Sequence, residues 1–113
     1  MNVSPAEKKL SEAMKEGAAQ TLPLRISFVI APPTKNAEVA ACALSAACCA
    51  VLPRETWAYC WLFRDEIFPQ LNNPIEHPRY GTFDTLENVI LFLNDNTSLT
   101  REEIADWLAE RGY

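Results

Sequence analysis

The segment from Ala37 to Ala50 constrains the fold more than any other part of the chain. Seven of its fourteen residues are alanine, three are cysteine and one is serine. Small, mostly apolar side chains on all sides of a helix indicate burial and let neighbouring backbones approach closely. We therefore predict a helix from Asn36 to Val51 at the centre of the fold.

The longest uncharged run, Val39 to Pro53, is built mainly of alanine and cysteine. A membrane-spanning helix needs about 20 predominantly apolar residues, so no membrane span is expected. The amino-terminal segment is polar and charged, unlike the apolar core of a secretory signal. Because cysteines stay reduced in the cytoplasm, four cysteines without an export signal indicate a cytoplasmic protein.

The four cysteines raise the question of a metal or thiol site. Cys42, Cys48, Cys49 and Cys60 do not follow the C-x2-C spacing of structural zinc sites. Buried free cysteine behaves as a small apolar residue, so we expect core packing and neither a metal nor another cofactor. The alternative is a small thiol-dependent enzyme that pairs Cys60 with His77, the only histidine of the chain.

The first helix is predicted from a start signal. Ser4, Pro5 and Glu7 have the order of a capping box with proline at the first helical position, which indicates a helix from Pro5 to Ala18. Its apolar stripe is thin, so we expect this helix to lie on the surface of the fold.

Residues 22–31 change to the period of a strand. Leu24, Ile26, Phe28 and Ile30 alternate with other residues, as in a half-buried strand. The candidate partners are 56–63 and 89–93, and a second copy of the chain would complete the edge if neither pairs. We therefore expect a homodimer.

The next two segments have contrasting patterns. Apolar and aromatic residues between Arg54 and Phe68 recur at helical spacing, although the aromatic residues at 56–63 also suit a strand. From Pro69 to Thr82 the chain has three prolines, two asparagines and one glycine, which predicts a long loop.

The carboxy-terminal part predicts two helices joined by a turn at 94–98. The first begins near Asp84. The second follows a capping box from Thr100 to Glu103 and directs Ile104, Trp107 and Leu108 inward. The predicted fold class is mainly α, with α+β as the alternative. One compact domain would contain four to five helices, a short strand near 23–31 and this helical hairpin.

Charge and glycine content exclude several functions. The ten bases are scattered, and seven acids against two bases from Asp84 onward carry the net charge of −5. Direct nucleic-acid binding is not expected, because it depends on clustered lysine and arginine side chains.

The segment 98–113 resembles the first helix of a helix-turn-helix unit, but it is acidic and no recognition helix follows in the sequence. The three glycines, Gly17, Gly81 and Gly112, are too far apart to form either of the usual nucleotide-binding loops, G-x-G-x-x-G and the P-loop.

These exclusions favour a non-catalytic regulatory or adaptor protein that binds another protein, possibly a basic one. An acidic inhibitor that mimics nucleic acid is a further alternative. The predicted partner-binding residues lie on the last helix and in the proline-rich loop: Glu102, Glu103, Asp106 and Glu110, and His77, Arg79 and Tyr80.

Overall fold

The computed structural model describes residues 4–31 and 38–113, and helices dominate this part of the chain. The α-helices are α1 (Leu10–Gln20), α2 (Ala43–Val51), α3 (Arg64–Ile67), α4 (Leu86–Asn96) and α5 (Arg101–Glu110), and two 3-10 helices cover Arg54–Phe63 and Pro69–Asn72. The strands are β1 (Leu22–Pro23), β2 (Val29–Ile30), β3 (Ala40–Ala41), β4 (Ile75–His77) and β5 (Gly81–Phe83). The mainly α class is confirmed, but within these described ranges five short strands in two sheets replace the one predicted strand.

Helix α2 lies in the core, as its small residues predict, and is buried from Ala43 to Cys49. Its first turn is capped by Cys42, whose sulfur accepts a hydrogen bond from the Ser45 amide at 3.4 Å. The predicted start was wrong, because residues 40–41 form β3 and the helix begins at Ala43. Residues 36–37 of that prediction lie outside the described residues.

Helix α1 packs directly on α2. Its apolar stripe, which includes Leu10, Ala13 and Met14, is fully buried. A Cβ atom on Gly17 would lie 1.7 Å from the carbonyl oxygen of Ala46, so the two backbones are in contact at this point. The opposite face, which carries Glu12, Lys15 and Glu16, is exposed, so α1 lies at the surface of the fold as predicted while its narrow apolar stripe packs closely on α2.

Helix α1 begins at Leu10, so the predicted start at Pro5 was wrong. The Ala6 amide donates to the Ile67 carbonyl at 2.8 Å, which holds the preceding segment against α3. In the first turn of α1, the Ser11 amide donates to the Tyr113 carbonyl at 3.0 Å. Contacts with distant parts of the chain thus take the place of the predicted capping box.

The strand predicted at residues 22–31 is divided into β1 and β2. Both pair with Ala40–Ala41, β1 in parallel and β2 antiparallel. Both proposed partners were wrong, because residues 56–63 are in a 3-10 helix and residues 89–93 are in α4. The strand therefore pairs within its own chain, which removes the reason for expecting a second copy at this edge.

The segment after α2 is helical, as predicted, but mostly of the 3-10 type. The 3-10 helix Arg54–Phe63 contains one non-helical residue, Tyr59, with φ −135° and ψ 23°. The four-residue helix α3 follows directly, and Phe68 ends it. The alternative prediction of a strand at 56–63 was wrong.

The predicted loop from Pro69 to Thr82 contains regular structure. After the second 3-10 helix, β4 and β5 form an antiparallel hairpin in which Ile75 pairs with Phe83 and His77 with Gly81. Residues 75–77 lie between two prolines and keep their own amide groups, so a short strand is possible. Gly81 has φ 88°, a conformation that favours glycine.

The last two helices form at the predicted places. Thr85 caps α4, which runs from Leu86 to Asn96. The turn before α5 is therefore shorter than the predicted turn at 94–98. The capping box between Thr100 and Glu103 is confirmed. Helix α5 contacts α4, but it packs mainly along α1. One core joins these helices with α2, and the radius of gyration is 13.2 Å.

Candidate functional site

Ile26 combines two features that are unusual for an isoleucine. Its φ is 61°, in the left-handed region, and 84% of the residue is exposed to solvent. The left-handed conformation costs an ordinary residue about 1 to 2 kcal/mol, and a β-branched side chain adds to the strain. Neither burial nor backbone preference of this residue accounts for the conformation.

Two adjacent side chains of α4 hold the turn that carries Ile26. The Ile26 amide donates to Asp95 Oδ1 at 2.9 Å. The Asn94 side-chain amide donates to the Leu24 carbonyl at 2.9 Å and to Asp95 Oδ1 at 2.8 Å. Asn94 Oδ1 also accepts the Ala43 amide at 2.9 Å, which anchors this buried side chain to the start of α2. The exposed isoleucine is thus fixed by the core.

An apolar surface surrounds Ile26. A shallow depression of about 330 Å³ is lined by Ile26, Ser27, Phe28, Leu91 and Asp95. The Phe28 ring stacks on Trp61, with ring centroids 5.0 Å apart and planes 13° apart. We call Ile26, Phe28, Trp61 and Leu91 the Ile26 surface. Helix α4, the 3-10 helix and the segment between β1 and β2 each contribute to it.

The sequence prediction missed this surface. It treated Ile26 and Ile30 as the apolar face of a half-buried strand, yet both are mainly exposed. The alternating pattern carries no signal for a left-handed residue, and Asp95 has no neighbour in the sequence that would indicate its hydrogen bond to Ile26.

The predicted acidic residues of α5 are exposed, but three of them have partners within the chain. Glu103 closes the capping box with the Thr100 amide at 2.9 Å. Asp106 forms an ion pair with Lys15 of α1. Glu110 lies 3.8 Å from Arg111, and Glu102 is exposed beside a depression next to Arg101. The acidic face is therefore partly neutralised by its own chain.

The three predicted residues of the proline-rich loop lie at the tip of the β4–β5 hairpin. His77 Nδ1 accepts the amides of Arg79 and Tyr80 at 3.0 and 3.3 Å. Its ring stacks on Trp107 of α5, with centroids 5.0 Å apart and planes 26° apart. The Arg111 guanidinium covers Trp107 at 4.0 Å from the ring centroid. The loop and α5, predicted separately, thus adjoin each other.

The position of His77 predicts a dependence of stability on pH. Burial and the nearby Arg111 and Arg79 charges lower the pKa of His77 from its usual 6.5. Below pH 6.5 the unfolded chain therefore takes up a proton more readily than the folded chain. We expect His77 to make its full contribution to the free energy of unfolding above pH 6.5, and we expect this contribution to fall as the pH drops below 6.5.

Urea denaturation at about pH 7.5 and pH 5.5 tests this expectation. The His77→Asn variant is the control, because asparagine retains an acceptor for the hairpin amides but does not titrate. It should lose less stability than wild type at the lower pH. Equal losses in both proteins would contradict the assignment.

The cysteines form a buried cluster of free thiols, as the core-packing prediction requires. The sulfurs of Cys49 and Cys60 lie 3.8 Å apart. Interactions with Cys60 and burial raise the pKa of Cys48 and of Cys49, and the thiols of Cys48 and Cys49 lower that of Cys60, against the effect of burial.

The pair required by the thiol-enzyme alternative is not formed. Cys60 is fully buried beside Cys49 and the Ser45 carbonyl, whereas the ring of His77 contacts Tyr80 and Trp107. Across residues 4–31 and 38–113, no group of three or more His, Cys, Asp and Glu side chains is arranged to hold a metal ion.

Comparison with protein-family models, with curated proteins and with solved structures found no match for this chain. Among the helices that the structure describes, each is too short or too polar to cross a bilayer.

Proposed function

We propose that this chain is a non-catalytic regulatory or adaptor protein that binds another protein through the Ile26 surface. The observation that carries the proposal is the conformation of Ile26, which is strained, exposed and held by Asp95. Strain of this kind persists where the surrounding structure imposes it, and it concentrates at functional sites. Exposed apolar residues beside a depression are typical of binding surfaces.

The proposed partner is a basic segment of another protein that also presents an apolar side chain. The chain has a net charge of −5, and Asp95 lines the depression. Asp95 uses Oδ1 for its two hydrogen bonds within the described residues, so Oδ2 is available to a lysine or arginine of a partner. Complementary charge speeds association and aligns the two proteins.

The proposal also covers the cellular location and the oligomeric state. A cytoplasmic location suits a chain whose four cysteines are all free thiols. A homodimer is the competing arrangement at the Ile26 surface. A second copy brings the same net charge of −5, so the proposal favours a basic partner over self-association.

The Ile26→Asn variant tests the proposal because it separates stability from binding. Asparagine tolerates the left-handed conformation, so we expect the free energy of unfolding to rise by about 1 kcal/mol. Loss of a central apolar anchor should weaken partner binding about tenfold or more. The partner is identified by capture from lysate of the native source, and its affinity for wild type and variant is then measured calorimetrically with the purified protein.

The Leu22→Asn variant is a matched control, since Leu22 is also exposed but does not line the depression. It should bind like wild type. Unchanged affinity of Ile26→Asn would contradict the proposal. Sedimentation of wild type and Ile26→Asn tests whether a second copy of the chain is the partner. A wild-type dimer that becomes a monomer in Ile26→Asn would show that the Ile26 surface serves self-association instead.

The acidic face of α5 remains the second proposed surface, since His77 and Trp107 join it to the hairpin. Changing Glu102, Asp106 and Glu110 together to lysine should leave the fold nearly intact, because each exposed charge contributes about 0 to 1 kcal/mol. If this triple variant loses the partner while Ile26→Asn retains it, the binding surface lies on α5 and not at Ile26.

A further inference from the structure

Cys49 and Cys60 bring two thiols together from different elements. Cys49 lies in α2 and Cys60 in the 3-10 helix Arg54–Phe63, eleven positions later in the sequence, and their sulfurs are 3.8 Å apart. Cys49 is 2% exposed and Cys60 is fully buried. The sulfur of Cys60 is also 3.7 Å from the Ser45 carbonyl, so its position is set by α2 on both sides.

We propose that Cys49 and Cys60 are a redox modification site, which hydrogen peroxide converts into an intramolecular disulfide. This inference concerns the core of the protein and does not depend on the proposed binding function.

The reaction has two steps. The Cys60 thiolate attacks one oxygen of hydrogen peroxide, the O–O bond breaks, and Cys60 becomes a sulfenic acid while hydroxide leaves and takes up the proton released by Cys60. The Cys49 sulfur then attacks the Cys60 sulfur, the S–O bond breaks, and the hydroxyl leaves as water with the Cys49 proton. The two sulfurs are oxidised together by two electrons, and the peroxide is reduced to two molecules of water.

The geometry permits the second step with a small movement. A disulfide has a sulfur–sulfur distance of about 2.05 Å. The sulfurs of Cys49 and Cys60, now 3.8 Å apart, therefore need to approach each other by less than the length of a disulfide bond. The non-helical residue Tyr59 lies immediately before Cys60. A 3-10 helix has poorer hydrogen bonds than an α-helix, so this break allows Cys60 to shift towards α2 and a small oxidant to reach it through local opening.

The two thiols have different chemical tendencies. The thiolate is the reactive form of cysteine, and the neighbouring thiols lower the pKa of Cys60 and so favour its thiolate. Cys49 remains protonated until it attacks, because its interaction with Cys60 and its burial raise its pKa. Cys60 therefore takes the role of the peroxide-reactive residue and Cys49 that of the resolving residue.

Peptide mapping of the full chain tests the proposal. The reduced protein is treated with hydrogen peroxide at neutral pH, the remaining thiols are blocked in denaturant, and trypsin is added. Cleavage after Lys35, Arg54 and Arg64 places Cys42, Cys48 and Cys49 in peptide 36–54 and Cys60 in peptide 55–64. We expect these two peptides to be joined in a monomeric chain and separated again by a dithiol reductant.

Substitutions identify the two cysteines. Cys49→Ala and Cys60→Ala should lose the joined peptides, whereas Cys42→Ala should retain them, because Cys42 is paired with Ser45 and not with Cys60. Cys48 also interacts with Cys60, but the sulfur–sulfur contact of 3.8 Å is made by Cys49, so the Cys48→Ala variant should also retain them. Circular dichroism establishes that each variant is folded, and the mapping of wild type requires no substitution.

Three results would overturn the proposal. The joined peptides could be lost in Cys48→Ala and retained in Cys49→Ala, the disulfide could link two chains, or peroxide could leave peptides 36–54 and 55–64 separate in wild type at concentrations that oxidise a free thiol peptide completely.

Discussion

Replacement of Gly17 by alanine is expected to destabilise the protein by about 3 kcal/mol or more. The added Cβ would lie 1.7 Å from the Ala46 carbonyl oxygen and 2.3 Å from its carbonyl carbon. Both atoms belong to the backbone of α2, so no side-chain rotation relieves the overlap. Helices α1 and α2 would have to separate, and the buried residues between them would lose contact.

The sign of this effect is informative. At an exposed position of a helix, alanine in place of glycine stabilises by about 0.5 to 1 kcal/mol. Thermal and urea denaturation of Gly17→Ala therefore distinguish close packing of position 17 against α2 from an exposed position. A higher melting temperature than wild type would contradict the packing of α1 against α2.

Gly81→Ala is the matched control. Gly81 has φ 88°, and within the described residues no heavy atom beyond its own chain neighbours lies within 4 Å of an added Cβ. Its replacement should cost only the strain of the left-handed backbone, about 1 to 2 kcal/mol. The comparison separates a steric overlap from a conformational cost.

The second large effect is expected at Arg101, where replacement by methionine should cost about 3 kcal/mol. Arg101 is 6% exposed, and its guanidinium donates to three backbone carbonyls, those of Ala18, Thr21 and Ala41, at 2.8 to 3.1 Å. It also donates to the Thr21 hydroxyl at 2.7 Å. These bonds join α5 to the end of α1 and to β3.

Methionine keeps much of the apolar volume but supplies no donor. The carbonyls then stay buried without a partner, and each such group costs about 1 to 3 kcal/mol when the structure does not relax. Arg101→Lys should restore only part of the stability, because an ammonium group lacks the planar fork that reaches several carbonyls. The free energy of unfolding from urea denaturation measures both variants.

Arg111→Met is the control in the same part of the chain. Arg111 covers the Trp107 ring and donates to the Trp107 carbonyl at 3.2 Å, but it is partly exposed. Its replacement should cost at most about 1 kcal/mol. Similar losses for the two methionine variants would contradict the role assigned to the buried guanidinium.

Local patterns in the sequence were sufficient for several elements. The capping box at Thr100, the small-residue helix α2 and the helical character of residues 54–68 were all predicted, because each depends on residues a few positions apart. The burial of the four cysteines also followed from residue type. The acidic residues of α5 are exposed as predicted, while their role in binding remains a proposal.

The boundaries and the Ile26 surface depended on distant residues. The Tyr113 carbonyl contributes to the first turn of α1, β3 supplies the partner of β1 and β2, and the stacking of His77 on Trp107 joins the hairpin to α5. In the same way, Asp95 holds Ile26 across 69 positions of the sequence.

The sequence by itself determined the helical character of the longer helical segments, the capping box that starts α5 and the small residues of α2 that enter the core. Only the tertiary structure decided where α1 begins, how the strands pair and why Ile26 is held exposed in a left-handed conformation. The physical reason is that helix periodicity and capping are interactions between near neighbours. A hydrogen bond between residues far apart in the chain leaves no local pattern, and it overrides local preference when burial of the surrounding core outweighs the strain.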